Sequence, residues 1–326
     1  MRERVLITGA SGFVGYHIIA EALKHNLEVY AAVRKASNTD HLRQFNIQYT
    51  HLRYNDVEGL IKEIKEKQYD YIIHLAGVNN GRSQKEYVTV NTYFAYNLAK
   101  AAEECGVKKF IQMSSLAAIG PLKSLNGLLT EGTAPAPVNT FGKSKLAAEK
   151  KIATLTKLNY TILRPAAVYG PRDKGFFLFI KQMAKGLEPY AGEAEQKRSV
   201  LFAPDLAVAT INALHAPPQS SYNLSDGNFY NRYELGDLVK ELLKLRVYKI
   251  HFPVNFVKII AALNGKLSSL RGKATTVNTD KIAELTAKNW HCDIAKAQAE
   301  IGFYPRHNLP AGLSLTLAWY KENNWL

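Results

Sequence analysis

The stretch of residues 4–15 constrains the fold of this chain more than any other feature. Residues 5–7 form a short apolar run, and the glycines Gly9, Gly12 and Gly15 follow before an apolar pattern of helical spacing begins. Glycine lets a backbone turn sharply and approach a ligand closely, and a helix N-terminus attracts phosphate. The stretch therefore predicts a strand, a tight turn and a helix that together bind the pyrophosphate of a dinucleotide.

Length and cysteine usage set wide limits. A chain of 326 residues can form one large α/β unit or two domains. Its two cysteines, Cys105 and Cys292, lie far apart and form no metal-like pair, which favours a reducing compartment. The first strand starts close to the N-terminus, and no apolar run approaches the ~18 residues of a membrane span. We expect a cytoplasmic protein.

The net charge of +14 is the unusual feature of the composition, and half of it lies in residues 240–290, with ten basic and three acidic residues. Three interpretations stay open: a solvated basic face, attraction of an anionic substrate, and peripheral contact with an anionic membrane surface. No nucleic-acid-binding motif accompanies the charge, so we do not expect a nucleic-acid partner.

The end of the second predicted strand, residues 27–33, bears on cofactor choice. A carboxylate at this point binds the ribose 2′-hydroxyl of NAD, whereas a basic side chain accommodates the 2′-phosphate of NADP. This chain has Arg34 and Lys35, with no acid until Asp40. The sequence therefore favours NADP over NAD.

Two motifs resemble those of a known family. Residues 8–15, Thr-Gly-Ala-Ser-Gly-Phe-Val-Gly, resemble the nucleotide fingerprint of the extended short-chain dehydrogenase/reductase family, which includes NAD-dependent epimerase/dehydratase proteins. Residues 163–173, Leu-Arg-Pro-Ala-Ala-Val-Tyr-Gly-Pro-Arg-Asp, are similar to its Leu-Arg-Pro-x-x-Val-Tyr-Gly-Pro segment. The likeness covers about residues 1–245.

Alternating strands and helices predict an α/β fold, a Rossmann-like doubly wound parallel sheet with a smaller, mostly helical C-terminal substrate domain. We expect residues 1–165, joined by 196–225, to bind the dinucleotide. Residues 166–195 and 226–326 would then form the substrate domain. The resemblance also implies a homodimer.

The resemblance and the strand positions together define a set of candidate cofactor contacts. They lie in the glycine turn, after the second, third and fourth strands, on the helix of the catalytic motif and after the sixth strand: Gly9, Ser11, Gly12, Phe13, Val14, Gly15, Arg34, Lys35, Asp56, Leu75, Ala76, Gly77, Lys145, Pro165 and Val168. For the third strand, Asn55 is an alternative to Asp56. A histidine inside the fourth apolar strand, His74, is expected to be a core residue, and we expect no metal site.

The catalytic motif is present with one departure. Ser115 stands five residues before Gly120, where the family has its catalytic Ser or Thr. Phe141 and Lys145 occupy the positions of the family's Tyr-x-x-x-Lys motif, so the tyrosine is replaced. In that motif the ammonium lowers the pKa of the phenol, which exchanges a proton with the substrate while hydride moves. Phe141 keeps the ring and lacks the hydroxyl.

Two explanations for Phe141 stay open. In the first, Phe141 is native, and the protein is a binding or regulatory relative or an enzyme that uses another acid. In the second, Phe141 is an introduced change that disables catalysis while preserving the pocket. Three functions follow. The leading one is NADP(H)-dependent hydride transfer to or from a secondary alcohol or ketone, lipid-like or steroid-like, impaired by Phe141. The alternatives are a sugar-nucleotide epimerase or dehydratase, and a non-catalytic dinucleotide-binding sensor or assembly protein.

Overall fold

A computed structural model describes residues 2–261 and 279–326. Seven strands form its main sheet: β1 (Arg4–Thr8), β2 (Glu28–Ala32), β3 (Gln48–Thr50), β4 (Tyr71–His74), β5 (Lys109–Met113), β6 (Tyr160–Pro165) and β11 (Ser220–Leu224). Shorter strands pair outside it: β7 (Ala167–Tyr169) with β10 (Val200–Phe202), β8 (Leu187–Ala191) with β12 (Tyr248–Phe252), and β9 (Lys197–Arg198) with β13 (Asn289–Trp290).

Helices connect these strands. They are α1 (Phe13–Lys24), α2 (Val57–Lys67), α3 (Gln84–Tyr87), α4 (Phe94–Glu104), α5 (Thr140–Ile152), α6 (Lys174–Ala184), α7 (Ala203–Asn212), α8 (Glu234–Leu243), α9 (residues 254–261), α10 (Thr279–Leu285), α11 (Ala295–Ile301) and α12 (Leu309–Glu322). A short π-helical segment, Val88–Tyr93, joins α3 to α4. No helix in the described part of the chain is both long and apolar enough to cross a bilayer.

The main sheet is parallel throughout, in the order β11-β6-β5-β4-β1-β2-β3. The chain leaves β1 toward β2 and β3, and then returns to place β4 on the other side of β1. Ligands of open α/β sheets bind at such a reversal, outside the carboxyl ends of the strands. The glycine turn follows β1 at this point.

The apolar residues of β1 explain the layers. Val5 and Ile7 are fully buried in one cluster with Ile18 and Ile19 of α1, while Leu6 is fully buried on the opposite face. Because strand side chains alternate between faces, one short apolar run supplies both layers of the core. A third cluster is formed by side chains of α6, α8 and α12.

The predicted α/β sheet is confirmed. The sequence pattern predicts its sixth strand over residues 160–165, and the structure has the same bounds, Tyr160–Pro165. The apolar pattern predicts a fifth strand over residues 109–115, and the structure ends this strand two residues earlier, at Met113. The apolar stretch of residues 252–270 predicts a helix. The helix starts at residue 254, and residues 262–270 lie outside the described part. The division into cofactor and substrate domains stays a prediction.

Candidate functional site

The glycine turn after β1 is built from backbone contacts that leave no room for side chains. Gly9 has a φ of +64°, in the left-handed region, and a Cβ there would lie 2.9 Å from the amide nitrogen of Ala76. A Cβ on Gly15 would lie 2.5 Å from the carbonyl oxygen of Gly9. The glycines thus hold α1 and the end of β4 directly against the turn.

The N-terminus of α1 suits an anionic ligand. Gly12 caps the helix without a side chain, and its first turn contains no acidic residue. The amide groups of the first turn and the positive end of the helix dipole therefore favour a phosphate. Ser11, Phe13 and Val14 lie in this same turn and are half-buried. The residues fit a dinucleotide pyrophosphate.

The segment after β4 is fixed by the last residue of β1. The Thr8 hydroxyl accepts hydrogen bonds from the amide groups of Leu75 (3.1 Å) and Ala76 (3.0 Å), and it lies 2.8 Å from Nδ1 of His74. His74 is fully buried, and this burial lowers its pKa to about 3. The prediction of a core histidine is confirmed. At Gly77, a Cβ would lie 2.9 Å from Oδ1 of the buried Asn91, so the segment passes close to α5 and the π-helical segment.

The residues predicted to choose the cofactor are at the surface. Arg34 and Lys35 are exposed directly after β2, while the nearest acid, Asp40, forms an ion pair with Arg43. Asp56 is exposed and caps α2, where its carboxylate accepts a bond from the amide of Gly59 at 2.9 Å. The structure gives Asp56 a capping role, and its contact with a cofactor stays a prediction.

Ser115 lies two residues beyond the end of β5. Its hydroxyl oxygen accepts a hydrogen bond from the Ala117 amide at 3.2 Å and caps the short 3₁₀ turn Leu116–Ala118. The Ser114 amide still donates to the Leu163 carbonyl oxygen of β6 at 2.8 Å, and the chain then leaves the sheet because Ser115 caps the turn that follows. Ser115 is thereby held at the carboxyl edge of the sheet.

The helix of the catalytic motif packs directly on this turn. Asn139 caps α5 by accepting a bond from the Gly142 amide at 2.7 Å. A Cβ on Gly142 would overlap the carbonyl oxygen of Ala117, so only glycine lets the helix approach the turn this closely. This close contact sets the position of Ser115 relative to α5, together with the bonds from Lys145 to the Met113 carbonyl oxygen and from Ser114 to Glu149.

Lys145 follows Phe141 by one helical turn. Its Nζ lies 5.8 Å from the centroid of the Phe141 ring and donates a hydrogen bond to the Met113 carbonyl oxygen at 2.9 Å. Burial lowers the pKa of Lys145 to about 8, an effect that the negative charge of Glu149 opposes. The ammonium is thus positioned beside residue 141, as the motif requires, facing a ring without a hydroxyl.

A cavity of about 210 Å³ opens beside Ser115. Pro165 lines it near the end of β6, and Arg198, Lys281 and Glu284 line it from later parts of the chain. Glu284 accepts bonds from Lys281 and from Nδ2 of Asn139, while Arg198 donates to the Leu285 carbonyl oxygen at 2.7 Å. Phe141, Lys145 and Val168 are not among the described residues that line it.

Sequence reasoning missed the charged wall of this cavity and a buried ion pair beneath it. Glu149 accepts bonds from Arg164, at 2.7 Å, and from the Ser114 hydroxyl, which ties α5 to the ends of β5 and β6. No motif signals Arg198 or Glu284, because they meet through the pairing of β9 with β13. Within residues 2–261 and 279–326, no group of three or more His, Cys, Asp or Glu could hold a metal ion.

Comparison with known proteins defines the class. The family model "NAD dependent epimerase/dehydratase family" matches residues 5–225, and the chain belongs to this family. UDP-glucose 4-epimerase of Vibrio cholerae is 27% identical, with 99% of this chain and 98% of the relative covered.

Two solved structures share the fold. UDP-glucose 4-epimerase of Thermotoga maritima, solved with UDP-glucose, has a TM-score of 0.80 and 21% identity over 98% of this chain and 99% of that one. The Thermus thermophilus UDP-glucose 4-epimerase complex with NAD has a TM-score of 0.79 and 21% identity, with the same coverage.

These findings bear on the three functions that the sequence left open. The family is one of NAD-dependent enzymes, and the named relatives favour the epimerase/dehydratase alternative over the lipid-like ketone that the sequence placed first. The neighbouring complexes contain NAD, which gives no support to a preference for NADP.

Proposed function

We propose that this protein binds a nicotinamide dinucleotide along its glycine turn and binds a sugar nucleotide in the cavity beside Ser115. The observation that carries the proposal is the make-up of this cavity. It places the hydroxyl-bearing turn of Ser115 and the cations of Arg198 and Lys281 around one space. A hydroxyl suits the reacting sugar oxygen, and the cations suit a diphosphate.

The charge of the cavity supports a sugar nucleotide rather than a steroid, because a diphosphate is anionic and a steroid is not. Arg198 and Lys281 outnumber Glu284, so the wall has a net positive charge. Burial lowers the pKa of Arg198, and its Nε has no hydrogen-bond partner among the described residues. A phosphate oxygen would supply one.

In the reaction, the nicotinamide would supply a hydride acceptor and donor. The Ser115 hydroxyl would bind the oxygen at the reacting carbon, and Lys145 would hold positive charge beside residue 141 and contact the cofactor ribose. Residue 141 would take the proton of the sugar hydroxyl and give it back. Phe141 cannot do so, and loss of a positioned acid or base costs roughly 10²–10⁴-fold in rate. We expect slow turnover from the sequence as it stands.

The test compares the protein with Phe141→Tyr and Phe141→Leu, using UDP-glucose, dTDP-glucose and a set of long-chain ketones with added NAD or NADH and, in parallel, NADP or NADPH. We expect all three proteins to bind cofactor and Phe141→Tyr alone to gain turnover, by roughly 10²–10⁴-fold. Phe141→Leu controls for disturbance of the pocket. Ser115→Ala in the Phe141→Tyr background should remove the gain. Long-chain ketones, rather than sugar nucleotides, responding to Phe141→Tyr would contradict the proposal.

A second candidate is a non-catalytic dinucleotide-binding sensor or assembly protein, and Phe141 is the observation that favours it. The same experiment separates the two. Cofactor binding with no turnover of any sugar nucleotide in either Phe141 or Phe141→Tyr protein would favour the sensor.

The cofactor preference is a separate proposal. Arg34 and Lys35 are both exposed after β2, so they are free to meet a 2′-phosphate. We expect tighter binding of NADPH than of NADH, measured as dissociation constants by calorimetry at moderate salt. Arg34→Ala with Lys35→Ala should remove the difference, whereas Lys62→Ala on α2 should not. Equal constants for the unaltered protein would contradict the preference. The homodimer stays a prediction.

A further inference from the structure

Helix α9 exposes its apolar residues. Phe256, Ile259 and Ile260 are 49%, 59% and 43% exposed, while Ala261 is buried. The three exposed residues have the spacing i, i+3, i+4, so they form one stripe on the outer side of the helix. A surface helix of a globular protein ordinarily points such a stripe toward the core.

The β8–β12 ribbon adds to this stripe. Leu187 and Tyr248 are register partners in the two parallel strands and are 46% and 79% exposed. Phe252, which ends β12, stacks on Phe256 of α9 with ring centroids 6.2 Å apart. Ribbon and helix are therefore neighbours. We call the set Leu187, Tyr248, Phe256, Ile259 and Ile260 the α9–ribbon face.

Charges of both signs accompany this face: Glu193 and Glu195 follow β8 and are exposed, whereas basic residues dominate the segment of β12 and α9. Residues 240–261 contain five basic residues and one acidic residue. Two of the five are neutralised, because Lys240 pairs with Glu188 and Asp237, and Lys249 pairs with Asp237. The remaining three are Lys244, Arg246 and Lys258, which are exposed and have no ion pair within the described ranges.

We propose that the α9–ribbon face docks on an anionic lipid bilayer. The stripe of Phe256, Ile259 and Ile260 enters the headgroup–acyl boundary, and the neighbouring cations meet lipid phosphates. An exposed apolar stripe beside exposed basic residues that form no ion pair is the pattern of interfacial helices, whose binding adds buried apolar area to attraction by anionic lipid. None of these residues lines the cavity beside Ser115. The inference therefore stands whether or not the proposed substrate is correct.

The experiment measures partitioning of the full chain onto sedimented vesicles. We expect binding to vesicles of mixed phosphatidylglycerol and phosphatidylcholine, weaker binding as salt is added, and little binding to pure phosphatidylcholine. Each basic residue near an anionic surface raises the partition coefficient by a similar factor, about fivefold. Lys244→Gln with Arg246→Gln should therefore lower the partition coefficient about thirtyfold. Phe256→Ser with Ile259→Ser should lower it at least as far.

A matched control replaces similar exposed residues elsewhere: Tyr49→Ser on β3 with Lys65→Gln and Lys67→Gln on α2. The control should partition like the unaltered protein, and every variant should keep its cofactor affinity, which shows that it is folded. Absence of binding to anionic vesicles at low salt would overturn the proposal. An equal loss in the control would do the same. Self-association through Phe256 without vesicle binding would instead identify this face as an interface between copies of the chain.

Discussion

Lys145 is a cation in a place that water hardly reaches. It is 5% exposed, its Nζ donates to the Met113 carbonyl oxygen, and burial lowers its pKa to about 8. In the unfolded chain the same lysine has its ordinary pKa of 10.5. Between pH 8 and pH 10.5 the unfolded state therefore binds more protons than the folded state. Burial of the charged lysine lowers the free energy of unfolding by its full amount below pH 8, and by less as the pH rises toward 10.5.

Replacing Lys145 by Met should therefore stabilise the fold. A pKa displaced from 10.5 to about 8 corresponds to about 3 kcal/mol, from which we subtract about 1 kcal/mol for the lost hydrogen bond. We expect the free energy of unfolding near neutral pH to rise by about 2 kcal/mol, while cofactor binding weakens. Urea unfolding near pH 7 and near pH 10 should show the gain shrinking at the higher pH. Lys143→Met, exposed on the same helix, should change neither value. A destabilised Lys145→Met would refute this account.

At the scale of elements, the contact between α5 and the Ser115 turn depends on one missing side chain. A Cβ on Gly142 would overlap the Ala117 carbonyl oxygen and lie 3.0 Å from Oδ1 of Asn139. Both neighbours are fixed, one as backbone and the other as the helix cap. The helix and the turn would have to separate.

Gly142→Ala should lower the free energy of unfolding by about 1–3 kcal/mol, as overpacking does. In the Phe141→Tyr background it should also reduce turnover, because Ser115 and residue 141 move apart. Chemical unfolding and steady-state rates measure the two effects. Gly132→Ala, where the nearest atom lies 3.8 Å from the added carbon, is the control and should change neither. An unchanged free energy of unfolding in Gly142→Ala would contradict this prediction, because it would show that the turn can move away from the added Cβ at no cost.

The same contact shows how far a sequence predicts such a site. The glycine turn, the strands and the motif on α5 could be predicted because each depends on residues close together in the chain. The early end of β5 could not be predicted, because it depends on the hydroxyl of Ser115, which caps the turn Leu116–Ala118. Arg198 and Glu284 are harder still to predict, since tertiary contacts bring their segments together: the pairing of β9 with β13 and the bond from Arg198 to the Leu285 carbonyl oxygen. Local sequence patterns therefore predict the cofactor-binding part of the candidate site, whereas tertiary contacts determine the part proposed to bind the substrate.

For the whole molecule, two buried histidines couple folding to pH. His74 lies inside the main sheet, and Nε2 of His17 on α1 lies 3.0 Å from the Pro171 carbonyl oxygen in the loop after β7. Burial lowers the pKa of His17 to about 4 and that of His74 to about 3. An unfolded histidine takes up its proton near 6.5. Below pH 6.5 the unfolded state binds more protons than the folded state. The free energy of unfolding therefore keeps its full value above about pH 6.5 and declines as the pH falls toward 4.

We expect each histidine to remove about 3 kcal/mol from the free energy of unfolding by pH 4. His74→Asn isolates one of them, because the amide can keep a hydrogen bond to Thr8 and cannot titrate. Urea unfolding from pH 7 down to pH 4.5 should therefore show a shallower decline in His74→Asn than in the unaltered protein. His215→Asn, at an exposed position, should follow the unaltered curve. Parallel curves for His74→Asn and the unaltered protein would mean that acid acts elsewhere in the fold.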